Sequence, residues 1–238
     1  MGAIAASLVT MIGVGMSDEF LIVLKADLRT SAGMHLDHRL PDGTVIELDD
    51  ASAVSLKFTD NERRLQLLKG QVFVDAAPVN SREHRPFIVE AANGEIRALG
   101  TSFNVNKAAT AVDVTAVTHR VKVTTTGPAT PNHRPTLSPG QALRYGADGG
   151  IVTRTLSPAL ATAWRHDRLI LDRVTLSEAC AILRRHSDAP IRLLDDKGGA
   201  LSISGVFDAR DIEGTLRLIA REHDLRLVKL PLLGFFLT

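Results

Sequence analysis

From about Thr30 to Thr155 apolar residues recur at every second position, and turn residues interrupt them at short, regular intervals. That is the period of half-buried β-strands. Leu36, Leu40, Ile46 and Leu48 bracket Pro41-Asp42-Gly43, where Pro presets φ and Gly accepts a positive one. Val54, Leu56 and Phe58 run to a polar tip at Asp60-Asn61-Glu62. Leu65 and Leu67 lead through Lys69-Gly70 to Val72 and Val74, and Val112, Val114, Val117, Val121 and Val123 continue the pattern. The clearest stretch is Arg85 to Val105, RPFIVEAANGEIRALGTSFNV. Two β-type runs flank Asn93-Gly94, which predicts a hairpin with a two-residue turn. Beyond Gly100 the apolar phase slips by one residue, to Thr101, Phe103 and Val105, and this predicts a glycine bulge. The segment Thr124 to Gly140 holds four prolines and little that packs, so an exposed loop is expected.

After Pro158 the period changes. Leu169-Ile170-Leu171 predicts a short strand, and Thr175 with Glu178 has capping-box spacing. Leu176, Ala179, Cys180, Ile182 and Leu183 then share one helical face. Ile191, Leu193 and Leu194 predict the next strand. A shift of 36 residues places Thr175 on Asp211, Leu176 on Ile212, Arg185 on Arg221 and Ile191 on Leu227. The region is therefore read as a duplicated β-α-β element whose last strand, 234–237, completes one small sheet. The predicted architecture is an all-β domain over 26–157 followed by a small α+β domain over 158–238.

Residues 1–25 stand apart. No charge occurs before Asp18 and no basic residue before Lys25. The apolar run is shorter than the roughly 20 residues a span requires and lacks the basic flank of a secretory leader. It is read as the outer part of a membrane span, partial or truncated.

Composition removes several function classes. A formal net charge of +1 supplies no electrostatic attraction for nucleic acid, and 4% aromatic residues supply few stacking platforms. The single cysteine, Cys180, cannot form an internal disulfide, and it falls on an apolar helix face as a small buried thiol. Ser102 lacks a nucleophile elbow. Gly198-Gly199 is read as a loop between repeat units. His35 and His38 flank Asp37, yet three positions along a strand separate them onto opposite faces, so they are read as surface polar residues with no metal. Asp49-Asp50 and Asp195-Asp196 are read as acidic turns at strand ends. No catalytic residue, cofactor or metal ligand is expected, and the chain is not expected to be an enzyme. Trp164, the lone tryptophan, sits between the two halves. It suits an aromatic plug seating one half on the other, and also a partner hot spot.

Several motifs occur together in order: ADLRTSAG at 26–33, LPDGTVIELDDAS at 40–52, RLQLLKGQVFVDA at 64–76, RPFIV and ALGTSFNV, and LSPGQAL at 137–143. Together they resemble the periplasmic region of the FecR family of membrane-bound sigma-factor regulators. RLILDRVTLSEACAILRRH and ISGVFDARDIEGTLRLIA are similar to that family's C-terminal half, an STN module. The resemblance implies a single-pass inner-membrane protein with most of its chain in the periplasm. It implies a signal received from the signalling domain of an outer-membrane TonB-dependent transducer, commonly one that imports ferric siderophores or haem. Proteolysis of the regulator would then release an extracytoplasmic-function sigma factor, through a cytoplasmic domain that does not occur in this sequence. Leu176, Leu183, Leu193 and Phe207 are the candidate partner-binding residues, and each also suits a core position. The competing reading is a periplasmic structural or ligand-binding scaffold of envelope assembly with no link to a sigma factor.

Overall fold

A computed structural model describes residues 18–126, 134–148, 150–194 and 198–238. The apolar run before Asp18, most of the proline-rich loop and Asp195-Asp196 lie outside the described residues.

A short helix, α1 (Asp18–Lys25), leads into thirteen strands. In chain order these are β1 (Leu28–Arg29), β2 (Leu36–Arg39), β3 (Val45–Leu48), β4 (Ala53–Phe58), β5 (Arg63–Asp75), β6 (Phe87–Ala91) and β7 (Gly94–Ala98). They continue as β8 (Ser102–Lys107), β9 (Ala111–Ala116), β10 (Val121–Thr125), β11 (Thr136–Leu137), β12 (Gln141–Gly146) and β13 (Ile151–Thr155). All thirteen belong to one hydrogen-bonded sheet, folded into two limbs that share β5.

The N-terminal part of β5 lies between β4, antiparallel, and β6, parallel. Its C-terminal part lies between β3 and β8, both antiparallel. One limb runs β11-β10-β7-β6-β5-β4-β1, and the other β13-β12-β9-β8-β5-β3-β2. The strand changes limb at Gly70, whose φ is +85°. A Cβ there would lie 2.1 Å from Ser52 Oγ, a position the Ser52 hydroxyl needs in order to accept the Gln71 amide at 2.9 Å. The β4 register shifts at the same level, opposite Leu67 and Lys69. Inward residues are therefore odd-numbered before the glycine (Leu65, Leu67) and even-numbered after it (Val72, Val74), and both sets enter one core with Ile46, Val89, Ile96, Phe103, Val114 and Leu143.

Two expectations in the hairpin region change. The β6–β7 hairpin exists, with Ala91 paired to Gly94, so its turn is Ala92-Asn93, one residue earlier than predicted. Ala92 takes the positive φ, and Gly94 is already in the strand. Gly94 is needed for another reason, because a Cβ there would sit 2.4 Å from the Tyr145 ring, whose hydroxyl donates to the Ala91 carbonyl. The phase slip at Gly100 is not a bulge within one strand. It marks the crossing from β7 in one limb to β8 in the other, with Gly100 at φ +113° and packed against Pro78.

The chain then enters α2 (Pro158–Ala161) and a 3-10 turn at Ala163–His166. There follow β14 (Arg168–Thr175), α3 (Leu176–Arg185), β15 (Ile191–Leu193), β16 (Ser202–Asp208), α4 (Ile212–Glu222), β17 (Leu227–Leu230) and β18 (Gly234–Leu237). The duplicated β-α-β order is present, and both caps form: Thr175 with Glu178 as a complete capping box, and Asp211 accepting the Gly214 amide. The expected single sheet is instead two. Among the described residues β14 pairs only with β16, while β15, β18 and β17 form the other sheet. The apolar stripes of α3 and α4 fill a second core between them, closed by Phe235 and Leu237. Among the described residues no helix is long and apolar enough to cross a membrane.

The Gly70→Ala variant should lose about 3 kcal/mol of stability in urea denaturation, because a left-handed backbone and an overpacked contact penalise the same methyl. Adding Ser52→Ala should recover none of that loss, because Ser52 Cα and Cβ would still lie 2.6 and 2.7 Å from the new methyl and the Gln71 amide would lose its acceptor.

Candidate functional site

The second half rests on the outer face of the β3-β5-β8 limb, and the polar chemistry of the molecule converges there. Along β5 the side chains of Gln71 and Phe73 alternate with the inward Val72 and Val74, and so point away from the core. Asn104 and Asn106 do the same on β8, directly across the ladder from Phe73 and Gln71. An apolar residue at an outward position needs a cover, and Phe73 has one: the Arg165 guanidinium lies 3.9 Å from its ring centroid. Arg165 is held there by Glu47 of β3, with Nε donating to Oε2 at 2.6 Å and Nη2 to Oε1.

Trp164 is buried in the same contact. Its Nε1 donates to Asn104 Oδ1 at 3.0 Å, and its ring stacks on His35 with centroids 5.8 Å apart. It thus serves as the plug expected from its position between the halves. The second clamp comes from the C-terminal end of α3. Arg185 Nη1 donates to Gln71 Oε1 and Nη2 to Asn106 Oδ1, at 3.2 and 3.1 Å. A helix C-terminus carries partial negative charge, which favours cationic side chains in this position.

Asp49 and Asp50, expected as a solvated acidic turn, are almost fully buried at 1% and 2% side-chain exposure. They follow β3 at a turn in which Ala51 takes φ 49°. Asp50 Oδ2 lies 2.7 Å from His186 Nδ1, both side chains buried, and Asp49 Oδ2 lies 3.6 Å from Arg185 Nη1. Burial pushes the Asp49 carboxyl above the ordinary carboxylate range, and the nearby His186 and Arg185 charges offset this only in part. The remaining oxygens, Asp49 Oδ1 and Asp50 Oδ1, have no hydrogen-bond partner among the described residues. Each lies 3.6 Å from a ring nitrogen of His35, whose Nε2 is 3.1 Å from Asp167 Oδ1. Asp167 in turn pairs with Arg210 at 2.7 Å.

Sequence reasoning separated His35 from any ligand group because it looked only for His38 and Asp37. The partners lie fourteen and fifteen residues on, brought back by the β2–β3 hairpin, in which Leu36 pairs with Leu48. The available signal was Asp49-Asp50 immediately after an inward Leu48, where the chain still runs beneath its neighbours.

The four candidate partner-binding residues fall elsewhere. Leu176, Leu183 and Phe207 lie in the second core, and Leu193 is half-buried against it. Their periodicity is that of a packing face, and each helix has one such face, already occupied by the sheets. Among the described residues of this half the exposed large apolar side chains are Leu160, Leu194, Val206, Leu218, Leu230, Leu232 and Leu233. Cys180 is buried, as its helix position suggested.

The family model described as FecR protein matches residues 26–122. A crystal structure of a putative anti-sigma factor from Parabacteroides distasonis ATCC 8503 superposes with a TM-score of 0.78 at 24% identity, covering 89% of this chain and 97% of that one. A second crystal structure of the same description gives 0.76 at 24% identity, with 88% and 96% covered. At that identity the likeness is one of fold, and it extends through both halves. No curated protein matches the chain.

Trp164→Ala should cost about 3–5 kcal/mol of stability, the usual price of emptying a large buried aromatic site. Calorimetry should then resolve two unfolding transitions, because the variant breaks the joint while leaving both hydrophobic cores intact.

Proposed function

We propose that this chain, which carries a FecR domain over residues 26–122, is the sensing portion of a membrane-anchored regulator that relays a signal to a sigma factor. The observation that carries the reading is the combination of that domain match with a fold shared along nearly the whole length of an anti-sigma factor structure.

In its finer form the proposal places the chain in the periplasm, tethered to the inner membrane through residues 1–25. The FecR domain, extended to residue 157, acts as the frame. Residues 158–238, as an STN-like module, receive the signalling domain of an outer-membrane TonB-dependent transducer, in a pathway of iron or siderophore uptake. The physical support is local. Among the described residues β16 has one hydrogen-bonded strand partner, β14, which leaves its other edge for an added strand. Val206 on that strand is exposed, Leu193 ends β15, an edge strand of the other small sheet, and the exposed Leu194 follows directly. Backbone pairing at such an edge supplies affinity, and the neighbouring apolar side chains select the partner. Docking there would load the Trp164 joint directly, since β14 begins two residues after the 3-10 turn that carries Trp164.

Val206→Glu should leave the far-UV circular dichroism and melting temperature unchanged and reduce binding of the purified transducer signalling domain at least tenfold in titration calorimetry. Leu183→Glu should instead unfold the second half, because a charge without a partner would enter the core. Full binding by a folded Val206→Glu protein would remove this edge from the docking surface. A signalling domain that binds neither the wild-type chain nor its membrane-anchored form would overturn the transducer reading itself.

A further inference from the structure

The two carboxylates at the joint are arranged asymmetrically. Both Oδ2 atoms face side chains of the second half, Asp50 toward the His186 imidazole and Asp49 toward the Arg185 guanidinium. Both Oδ1 atoms are buried, have no hydrogen-bond partner among the described residues, and converge on His35. A buried carboxylate oxygen without a partner is costly, and two facing one another are more so. The His35 contacts at 3.6 Å do not repair this, since a hydrogen bond of this kind closes to about 2.7–3.2 Å.

Asp167 adds the decisive detail. In the tautomer whose Nε2–H points to Asp167 Oδ1, 3.1 Å away, His35 Nδ1 carries the lone pair. That lone pair lies 3.6 Å from the unpartnered Asp49 Oδ1. Two donor atoms at this separation repel as neighbours but suit a shared cation. Metal–ligand bonds of about 2.0–2.2 Å in a tetrahedral site put the ligand atoms roughly 3.3–3.5 Å apart. One ligand atom from each of His35, Asp49 and Asp50 lies within 4.8 Å of the others. A histidine whose second nitrogen donates to a carboxylate is also the arrangement that orients metal-bound imidazoles, and His186 on Asp50 Oδ2 supports a ligand carboxylate in the same manner. A groove of about 450 Å³, lined in part by Arg29, Thr30, Met34, His35 and Ser52, gives solvent access to the imidazole.

We propose that His35, with one carboxylate oxygen each from Asp49 and Asp50, forms a binding site for a first-row divalent cation of the Zn²⁺ type, at the seam between the two halves. One nitrogen and two oxygens favour such an ion over Ca²⁺ or Mg²⁺, which prefer all-oxygen shells. Water completes the coordination on the groove side. The ion neutralises the buried pair and holds the β2–β3 hairpin against Asp167, so its binding tightens the joint. The proposal is independent of which partner the second half receives.

The full chain, freed of tags and dialysed against EDTA, is titrated with ZnCl₂ at pH 7.5 by calorimetry, with thermal melting in parallel. One equivalent should bind and raise the melting temperature. His35→Ala, a partly exposed position whose loss leaves both cores intact, should weaken binding at least tenfold, and Asp50→Asn should do the same. His38→Ala, three residues further along in β2 and outside the cluster, should bind as the wild type does. Zinc-edge X-ray absorption should show a mixed nitrogen and oxygen shell near 2.0–2.2 Å. No heat and no melting shift with the wild-type chain would overturn the site. Equal loss in His35→Ala and His38→Ala would overturn it too, by assigning the ion to surface histidines. If Asp50→Asn does not fold, the comparison of the two histidine variants still decides.

Discussion

The contact between Gly70 and Ser52 is the constraint from which the first half is built. A strand of thirteen residues cannot serve two limbs of a folded sheet while keeping a regular pleat, because its side chains would change from core to solvent where the limbs diverge. A residue in left-handed backbone geometry solves this by flipping the alternation once. With a hydrogen atom for a side chain, it also lets the neighbouring β4 turn approach close enough for the Ser52 hydroxyl to take up the next amide. Both limbs then point their apolar residues into one core, and the outer face of the second limb becomes a platform of Glu47, Gln71, Phe73, Asn104 and Asn106.

That platform explains why the joint is polar yet closed. Its five side chains are met by Trp164, Arg165 and Arg185, each with specific geometry. Polar contacts of this kind contribute modest net free energy each, but they penalise every misaligned arrangement, since a displaced partner leaves a buried group unsatisfied. The joint is thereby selective about orientation while adding less stability than either hydrophobic core, a combination suited to a part that must respond to a partner.

Much of this was legible in the chain. Alternation from Thr30 to Thr155 predicts the β half, the Thr175–Glu178 spacing predicts a capping box that forms, and the 36-residue repeat predicts the order of the second half. The misses have physical causes. The slip at Gly100 and the one at Gly70 look alike in sequence, yet one is a crossing between limbs and the other a turn inside a single strand; only pairing partners distinguish them. Asn93-Gly94 predicts a hairpin correctly but for the wrong reason, since the glycine makes room for Tyr145 fifty residues away. One sheet became two because period and propensity say nothing about which strands pair. Leu176, Leu183 and Phe207 illustrate the same limit from the other side: an apolar stripe announces burial without saying what covers it. Asp49 and Asp50 were hidden because adjacent acids at a strand end are usually solvated, and their burial depends on a helix more than 130 residues downstream.

At the C-terminus of α3 the residues that grip the first half, Arg185 and the capping residue His186, are consecutive, and so are the residues they grip, Asp49 and Asp50. Successive positions on a helix point about 100° apart. The pair therefore works like a two-pronged key: turning or sliding the helix by one residue withdraws both prongs at once, and no neighbouring setting offers them a second lock.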